Sequence, residues 1–281
     1  MKRTAIIVIS LLAGSLAGLA QTSSVILPFM DIDRNPVTSA MAGAGTLMEP
    51  DASDVWASYL LWKPSTTSYF SAAGDIASSE KLSVNVNGSY GMGAAYQTNT
   101  GLSSTSSTFS PSEMQFGAGA SYRISEKFGA EIAARYASSK LSSEATYGGF
   151  AADVILRGYF SGFRIAAGAV NLGPSVKGYK LPSAALFAAG YDNGPDALHR
   201  FRPEVDAKYY FCGSFGLSAG LDYTYNNLLS VRAGYHYGGV VADHASVGLG
   251  VNIKGIHLDA SYLIGSGVVK NSLSFGLGYR F

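Results

Sequence analysis

The stretch NSLSFGLGYRF, residues 271–281, decides the fold because its residues alternate between two chemical classes. One class is apolar and comprises Leu273, Phe275, Leu277, Tyr279 and Phe281. The other is polar or small and comprises Ser272, Ser274, Gly276, Gly278 and Arg280. Successive side chains of a β-strand point to opposite faces. The segment therefore predicts a strand with one apolar face and an aromatic last residue.

The N-terminus carries an export sequence. Lys2 and Arg3 precede an uncharged apolar stretch that runs to about residue 19, and small residues lead up to Ala20. This pattern is typical of a secretory signal peptide, residues 1–20, and is too short for a membrane anchor. We predict cleavage between Ala20 and Gln21. Because no cysteine stands at that junction, a lipoprotein anchor is excluded.

The composition excludes several classes of protein. Charged residues make up 14% of the chain, against about 25% in soluble domains. Without Lys2 and Arg3 the 20 basic residues become 18 against 19 acidic ones, so the mature net charge is near −1. This balance excludes a nucleic-acid partner, which requires a basic surface. Cys212 is the only cysteine, so no internal disulfide is possible. After the signal peptide no apolar stretch of about 18 residues predicts a membrane helix.

Period-two alternation recurs along most of the chain. Thirteen segments show it: 67–76, 82–97, 114–123, 128–138, 147–159, 163–171, 184–191, 201–211, 215–225, 229–238, 244–254, 256–264 and 271–281. A soluble β-sandwich also has alternating strands. Strand lengths of nine to eleven residues, aromatic residues at strand ends and the export sequence favour a transmembrane barrel instead. We therefore predict an all-β fold, an antiparallel β-barrel in the bacterial outer membrane.

The strand count is odd, whereas bacterial single-chain barrels have an even number. Segment 82–97 is long and contains Asn87-Gly88, a strong two-residue hairpin motif. Division of the segment at that motif gives fourteen strands. A strand hidden before Thr67 would also restore the parity. Fourteen strands are favoured over twelve or sixteen, with the barrel spanning residues 67–281.

An even count places both ends of the barrel in the periplasm. The loops 98–113, 139–146, 172–183, 239–243 and 265–270 are then extracellular. The turn 192–200 is periplasmic and unusually long. Tyr279 and Phe281, at the aromatic C-terminus, resemble the assembly signal of other barrels, which implies the barrel assembly machinery and outer-membrane lipid as partners.

Residues 21–66 do not alternate. Residues 38–48 are small and Gly-rich. Residues 51–61 predict a short helix that ends before Pro64, with Asp54, Val55, Tyr59 and Trp62 at helical spacing. A segment of this kind either hangs in the periplasm or folds into the barrel. Its apolar content favours a plug inside the lumen.

The lumen faces of the predicted strands carry ionisable residues of both signs. They are Glu131, Arg135, Asp153, Arg157, Arg164, Arg202, Glu204, Asp206, Lys208, Asp222, Arg232 and Lys254. A selective pore would show one sign in excess. A mixed set favours paired charges that cross-link the interior and hold a plug.

Few residues suggest chemistry. The pair Asp243-His244 lies in an outer loop, but adjacent residues of a strand point in opposite directions, so we interpret it as a solvated loop tip. His236 and His257 fall on lumen faces without zinc-ligand spacing. The run 43–45 lacks the strand–helix context of a phosphate-binding loop. No catalytic residue, metal site or cofactor is predicted.

Several motifs together resemble the PorV/PorQ family of Bacteroidota outer-membrane proteins. They are Leu27-Pro28-Phe29, Asp33-Arg34, residues 39–46, residues 50–54, Asn171-Leu172-Gly173-Pro174, Leu181-Pro182 and residues 232–235. The family's Asn-Pro-Ala box is replaced here by Lys63-Pro64-Ser65. The resemblance implies a FadL-like barrel of fourteen strands with an N-terminal plug.

Three functions follow as hypotheses, none of them enzymatic. The resemblance implies a protein that binds exported cargo or components of type IX secretion. The apolar plug suggests a FadL-like transporter for small hydrophobic solutes. The third is a plain porin.

Overall fold

The computed structural model describes residues 25–48, 54–99, 106–265 and 270–280. Its main element is a closed antiparallel barrel of fourteen strands. The elements outside the barrel are a 3-10 turn (Pro28–Asp31), a short helix α1 (Pro36–Ala40) and a hairpin of β4 (Tyr96–Asn99) and β5 (Ser106–Phe109). No helix among the described residues is long and apolar enough to cross a membrane.

The strands of the barrel follow one another around the wall in chain order. They are β1 (Asp54–Trp62), β2 (Thr67–Ser78), β3 (Leu82–Gly93), β6 (Ser112–Arg123), β7 (Phe128–Lys140), β8 (Thr146–Phe160), β9 (Phe163–Leu172), β10 (Ala184–Tyr191), β11 (His199–Tyr210), β12 (Phe215–Tyr225), β13 (Leu229–Gly238), β14 (His244–Ile253), β15 (Ile256–Gly265) and β16 (Ser272–Arg280). β1 pairs with both β2 and β16, and this pairing closes the sheet.

The two faces of the wall differ as the alternation predicts. On β16, Phe275, Leu277 and Tyr279 are about half exposed on the outer face, whereas Ser272 and Ser274 are buried on the inner face. The same apolar exposure recurs on every barrel strand from β2 onward. An apolar belt of this extent requires lipid rather than water around it. The Phe281 part of the C-terminal prediction lies outside the described residues.

Tight turns join the strands at one end, here called the lower end. Ser161-Gly162 and Lys254-Gly255 are two-residue turns in which both residues have positive φ. Such turns match the twist of the flanking strands, and glycine adopts this conformation without steric cost. The opposite, upper end carries residues 63–66 and the longer connections, including the β4–β5 hairpin and residues 173–183.

The first strand corrects two predictions. Residues 54–62 form β1, not a helix or part of the plug, and the barrel begins at Asp54 rather than at Thr67. The strand was hidden because its inner face is also apolar: Leu60 and Trp62 are buried against the plug. Apolar residues on both faces erase the period of two. Residues 51–53 of the predicted helix lie outside the described residues.

The predicted hairpin at Asn87-Gly88 is wrong. β3 continues through these residues and pairs with β2 on one side and β6 on the other. A turn motif inside a strand is overridden when both neighbours supply hydrogen-bonded ladders. The predicted count of fourteen strands is confirmed. The fourteenth strand is β1, not a strand made by dividing segment 82–97.

The segment 25–48 fills the lumen from the upper to the lower half. Val25 forms a bridge with Lys180 at the upper end. Helix α1 begins with Pro36 at its first turn, and the side chain of Asn35 caps it by accepting a hydrogen bond from the Val37 N–H at 2.9 Å. Residues 25–48 are hereafter the plug. Residues 1–24, with the predicted cleavage site between Ala20 and Gln21, lie outside the described part of the chain.

Candidate functional site

The upper end of the lumen is filled by an apolar cluster, here called the lid. Its buried members are Leu27, Phe29, Met30, Leu60, Trp62, Tyr69, Ala137, Ala151, Leu181 and Leu263. The plug supplies three of them, the upper connection 173–183 supplies Leu181, and strands from both sides of the barrel supply the others. Because these side chains meet across the lumen, the lid closes the upper end.

A buried guanidinium lies directly below the lid. Arg34 Nη2 donates to the Phe29 carbonyl at 2.5 Å, and the guanidinium lies over the Tyr69 ring at 4.9 Å from its centroid. The Tyr69 hydroxyl in turn donates to the Glu113 carboxylate. Burial lowers the pKa of Arg34, while the charges of Tyr69 and Glu113 oppose that shift. These contacts fix the path of the plug beneath the lid.

A second polar contact lies on the opposite wall. Lys208 Nζ contacts Asp31 Oδ1 at 2.7 Å, and the Tyr210 hydroxyl donates to the same carboxylate. The neighbouring Asp33 is buried, which raises its pKa, and its Oδ1 accepts a hydrogen bond from the Asn35 N–H at 3.1 Å. Asp31 therefore ties the plug to β11.

Two carboxylates of β11 accept backbone hydrogen bonds from the plug. Asp206 Oδ2 accepts from Gly45 N at 3.2 Å, from Thr46 N at 3.1 Å and from Thr46 Oγ1 at 2.7 Å. Glu204 Oε1 accepts from Leu47 N at 2.7 Å. The three hydrogen bonds to the Asp206 carboxylate are charge-assisted and therefore stronger than neutral ones. Three consecutive plug residues are thus held by two acidic side chains.

Two arginines hold the carbonyl groups of the same residues. Arg157 donates to Thr46 O from Nε at 3.2 Å and from Nη2 at 3.0 Å, and its Nη1 contacts Glu131 at 2.5 Å. Arg164 Nη1 lies 3.5 Å from Leu47 O. Together, Glu204, Asp206, Arg157 and Arg164 are hereafter the clamp. Acids face the N–H groups and bases face the carbonyls, so the clamp matches the polarity of the backbone.

Glycines on the lumen face make room for helix α1. A Cβ at any of them would stand 2.3 to 2.6 Å from an atom of the plug; they are Gly220, Gly234, Gly248 and Gly276. The helix is further held by Ser246 Oγ, which donates to Ala40 O at 2.8 Å. The absence of side chains at four neighbouring wall positions therefore forms the seat of the helix.

The lower part of the lumen contains an arginine–aspartate network. Asp222 Oδ2 contacts Arg202 Nη2 at 2.8 Å and Arg232 Nε at 2.7 Å. Arg232 Nη1 also contacts Asp259 at 2.6 Å. The network joins β11, β12, β13 and β15 across the wall. Its ion pairs join strands of the wall to one another, so the network stiffens the barrel itself.

Asp192, in the lower turn after β10, bridges two arginines. Its Oδ2 contacts Arg200 Nη2 at 2.7 Å and Arg164 Nη2 at 2.9 Å. Burial alone would raise the pKa of Asp192. Hydrogen bonds from Arg200 and Gly194, with the charges of Arg200 and Arg164, outweigh burial and lower that pKa. The long turn is therefore fixed to the clamp through Arg164.

Cavities of solute size lie between the plug and the wall in the described part of the chain. One of 380 Å³ lies against β2, β3, β6 and β7 and extends from Met30 to Trp56. Another of 370 Å³ lies against β7 to β11 and shares Met30, Asp33 and Arg135 with the first. A third, of 370 Å³, reaches Asn227 and Arg280 near the lower end. Space for a small solute thus lies below the lid, and the lid separates it from the upper end.

Eleven of the twelve predicted lumen charges face the lumen, and each of the eleven makes an ion pair or a hydrogen bond there. These ion pairs include Arg135 with Asp153 and Arg157 with Glu131. The prediction for Lys254 is wrong, because this residue lies exposed in the turn between β14 and β15. Its positive φ marks a turn rather than a strand.

The histidine predictions have mixed outcomes. His236 is buried in the wall, with Nδ1 2.8 Å from Ser218 Oγ, and its ring stacks on that of His244 at 5.3 Å. The pair Asp243-His244 is not a solvated loop tip, because Asp243 accepts from Gly238 N at 2.7 Å and His244 is buried. His257 lines the lower cavity. Within the described residues no cluster of three or more His, Cys, Asp or Glu side chains could hold a metal.

Sequence reasoning missed several residues of the site: Asp31, Arg34, Glu113, Asp192 and Asp259. The alternation of side chains along each strand could have identified two of them, because Glu113 and Asp259 alternate with outward-facing apolar residues. Asp31 and Arg34 belong to the irregular plug, where no periodicity indicates which way a side chain points.

No protein-family profile and no curated protein match the chain. Solved structures do. The toluene transporter TbuX of Ralstonia pickettii has a TM-score of 0.60 at 11% identity, over 88% of this chain and 98% of that one. The toluene transporter TodX of P. putida has a TM-score of 0.54 at 12% identity, over 86% and 93%. At this identity the likeness shows the fold, a closed fourteen-stranded barrel similar to those of transporters.

Proposed function

We propose that the protein is a plugged, non-enzymatic transporter of small solutes in the bacterial outer membrane, with its upper end facing outward. The observation that carries the proposal is the arrangement of the lumen. Solute-sized cavities of 370 to 380 Å³ lie below a lid made partly of the plug. Transport then requires only that the lid open, while the wall stays intact.

The contacts of the plug differ along its length, which favours opening at the lid. Residues 27–30 are held mainly by apolar packing, which carries no directional cost when side chains shift. Residues 45–47 are held by hydrogen bonds of the clamp, and those made by Asp206 and Arg157 are charge-assisted. Loss of those bonds leaves buried backbone groups unpaired. The upper plug is therefore the gate, and the clamp is its anchor.

A reversible lock tests this gate. Val25 and Lys180 are bridge partners, so their Cα atoms lie within disulfide range. In a C212S background, V25C/K180C should form a disulfide that ties the upper plug to the wall. In proteoliposomes, small-solute flux should fall on oxidation and return with reductant.

The matched control is Y235C/A245C, a partner pair on the outer face of β13 and β14 that does not touch the plug. Its oxidation should leave the flux unchanged. If flux through V25C/K180C is the same in the oxidised and reduced protein, the upper plug is not the gate.

The PorV/PorQ-like function remains the second candidate, and the filled lumen favours it. A barrel whose plug never moves has only its surface for partners, such as exported cargo or type IX secretion components. This candidate predicts no flux in any redox state. It also predicts co-purification of such a component from native membranes, with V25C/K180C locked.

A further inference from the structure

The cavity of 380 Å³ has a polar wall that the proposed gate leaves unused. Its uncharged hydrogen-bonding side chains are Ser71, Asn85, Asn87, Ser89 and Gln115, from β2, β3 and β6. This group is hereafter the amide pocket. Its volume falls in the range of about 300–1,000 Å³ that is typical of small-molecule sites.

Three buried polar atoms at this cavity have no hydrogen-bond partner among the described residues. They are Ser71 Oγ, Gln115 Oε1 and Arg34 Nε. All three residues line the cavity, and each is only 8% exposed. A buried polar group without a partner costs free energy, and nearly all such groups in folded proteins find one. The three side chains therefore keep hydrogen-bonding capacity that no other described group of the protein uses.

The charges around the cavity are compensated within the protein. Arg135 pairs with Asp153, and Glu131 pairs with Arg157. Asp33 and Asp75 add carboxyl groups, so the arginines on the wall are not in excess over acids. An anionic solute such as a fatty acid would find no surplus cation here. The wall therefore disfavours an anion, and its uncharged amide and hydroxyl groups suit a neutral solute.

Apolar groups complete the wall. Trp56 lies at one side, and Met30 and Ile32 of the plug lie at another. Ala73 and Ala133 are small, which leaves the volume open. The amide and hydroxyl groups of the wall can donate and accept hydrogen bonds, so they suit a molecule with hydroxyl groups on its edge. The indole ring of Trp56 suits a molecule with C–H groups on its face.

We propose that the amide pocket binds a neutral polyhydroxylated solute of sugar size. This inference rests on the proposed function in that it names the class of solute that passes the lid. It replaces the small hydrophobic solute expected from the apolar plug, because Leu27 and Phe29 of the plug are buried in the lid and the pocket presents amide and hydroxyl groups. Binding itself does not depend on transport.

Calorimetric titration of the full-length protein in detergent tests the proposal with D-glucose and maltose as probes. Octanoate and toluene serve as the anionic and apolar comparisons. The chain has two tryptophans, so a W62F background leaves Trp56 as the only indole, and its fluorescence reports occupancy of the pocket. Saturable binding of at least one sugar, with a Trp56 response, is expected.

Variants locate the site. N87A/Q115A removes two amide side chains from the pocket and should weaken sugar binding about tenfold or more. The matched control N252A removes an amide that lines the lower cavity instead, and should leave the affinity unchanged. Equal weakening by N252A and N87A/Q115A would overturn the assignment, as would binding of octanoate or toluene without either sugar.

The two proposals fail separately. Sugar binding without redox-dependent flux supports the pocket and contradicts the gate. Flux that depends on the V25C/K180C lock, without sugar binding, supports the gate and contradicts the pocket.

Discussion

Replacing Asp206 by alanine removes the centre of the clamp. One oxygen of this carboxylate accepts three hydrogen bonds, two from backbone N–H groups and one from the Thr46 hydroxyl. In D206A the N–H groups of Gly45 and Thr46 lose their acceptor inside the lumen. The wall keeps its strand pairing, because the change affects only a side chain.

The expected magnitude follows from these contacts. A buried donor left without a partner costs about 1–3 kcal/mol. Two such N–H groups, taken at about 1.5 kcal/mol each, give about 3 kcal/mol. Removing the carboxylate also removes the free-energy cost of burying it, so the net loss of stability at the clamp should not exceed this value. A difference of about 3 kcal/mol raises the released population of residues 45–47 about a hundredfold.

The assay measures that population by cysteine modification. Ala44 is 0% exposed and precedes the clamped residues. In an A44C/C212S background, the rate of maleimide labelling follows the fraction of time that this loop is open. D206A should raise the labelling rate about a hundredfold. D206N, which keeps an acceptor oxygen but loses the charge, should give a smaller increase.

D259A is the matched control, because Asp259 is a lumen carboxylate that pairs with Arg232 of the wall rather than with the plug. Its labelling rate should equal that of the parent. The reasoning fails if D206A labels no faster than the parent. It also fails if D259A accelerates labelling as much as D206A, since that result would indicate a general loosening of the barrel.

Two further predictions follow from the seat and the lower turn. In G234A the new Cβ would lie 2.3 Å from the backbone of Met41, so the plug must shift and the labelling rate of A44C should rise. The control is G88A, whose new Cβ would lie 3.9 Å from its nearest atom and should leave the labelling rate unchanged. Equal labelling rates in the two variants would contradict the steric argument. For Asp192, whose pKa is lowered in the folded protein, the stabilising contribution is present above the unfolded pKa of about 4 and is lost as pH falls through the folded pKa. In detergent, D192N should therefore unfold faster than the parent at neutral pH and at the same rate as the parent in strong acid. A difference between the two unfolding rates that does not change with pH would refute the link between the Asp192 pKa and stability.

The wall of this barrel was predictable and its first strand was not, for one physical reason. Alternation identifies a strand when one face meets lipid and the other meets water or polar groups, as on β16. On β1 the inner face carries Leu60 and Trp62, which pack on the plug. The contrast between faces then disappears. A strand that lines a dry part of the lumen therefore looks irregular in sequence.

The site was predictable in composition but not in pairing. The alternation of side chains along β11 placed Glu204 and Asp206 on the lumen face. The mixture of acidic and basic residues on the lumen faces indicated that such side chains hold a plug. Their partners lie 157 to 161 residues away and are backbone groups of an irregular segment. Every residue except proline has a backbone N–H, so the sequence does not show which of these groups bind the two acidic side chains. The glycines of the seat, likewise, are recognisable only once helix α1 is in place.

The position of the plug links the gate to the amide pocket. Residues 27–30 belong to the lid, and residues 32–35 line the cavity directly below it. The next fixed points are the seat of α1 and the clamp at 45–47. Displacement of the upper plug, with the clamp as its anchor, must therefore move one side of the amide pocket. The lower cavity is lined instead by residues 35–38 and by the wall, so it changes less. A solute that enters past the lid would therefore reach the amide pocket, with Ser71 and Gln115 in its wall, before the arginines of the lower network.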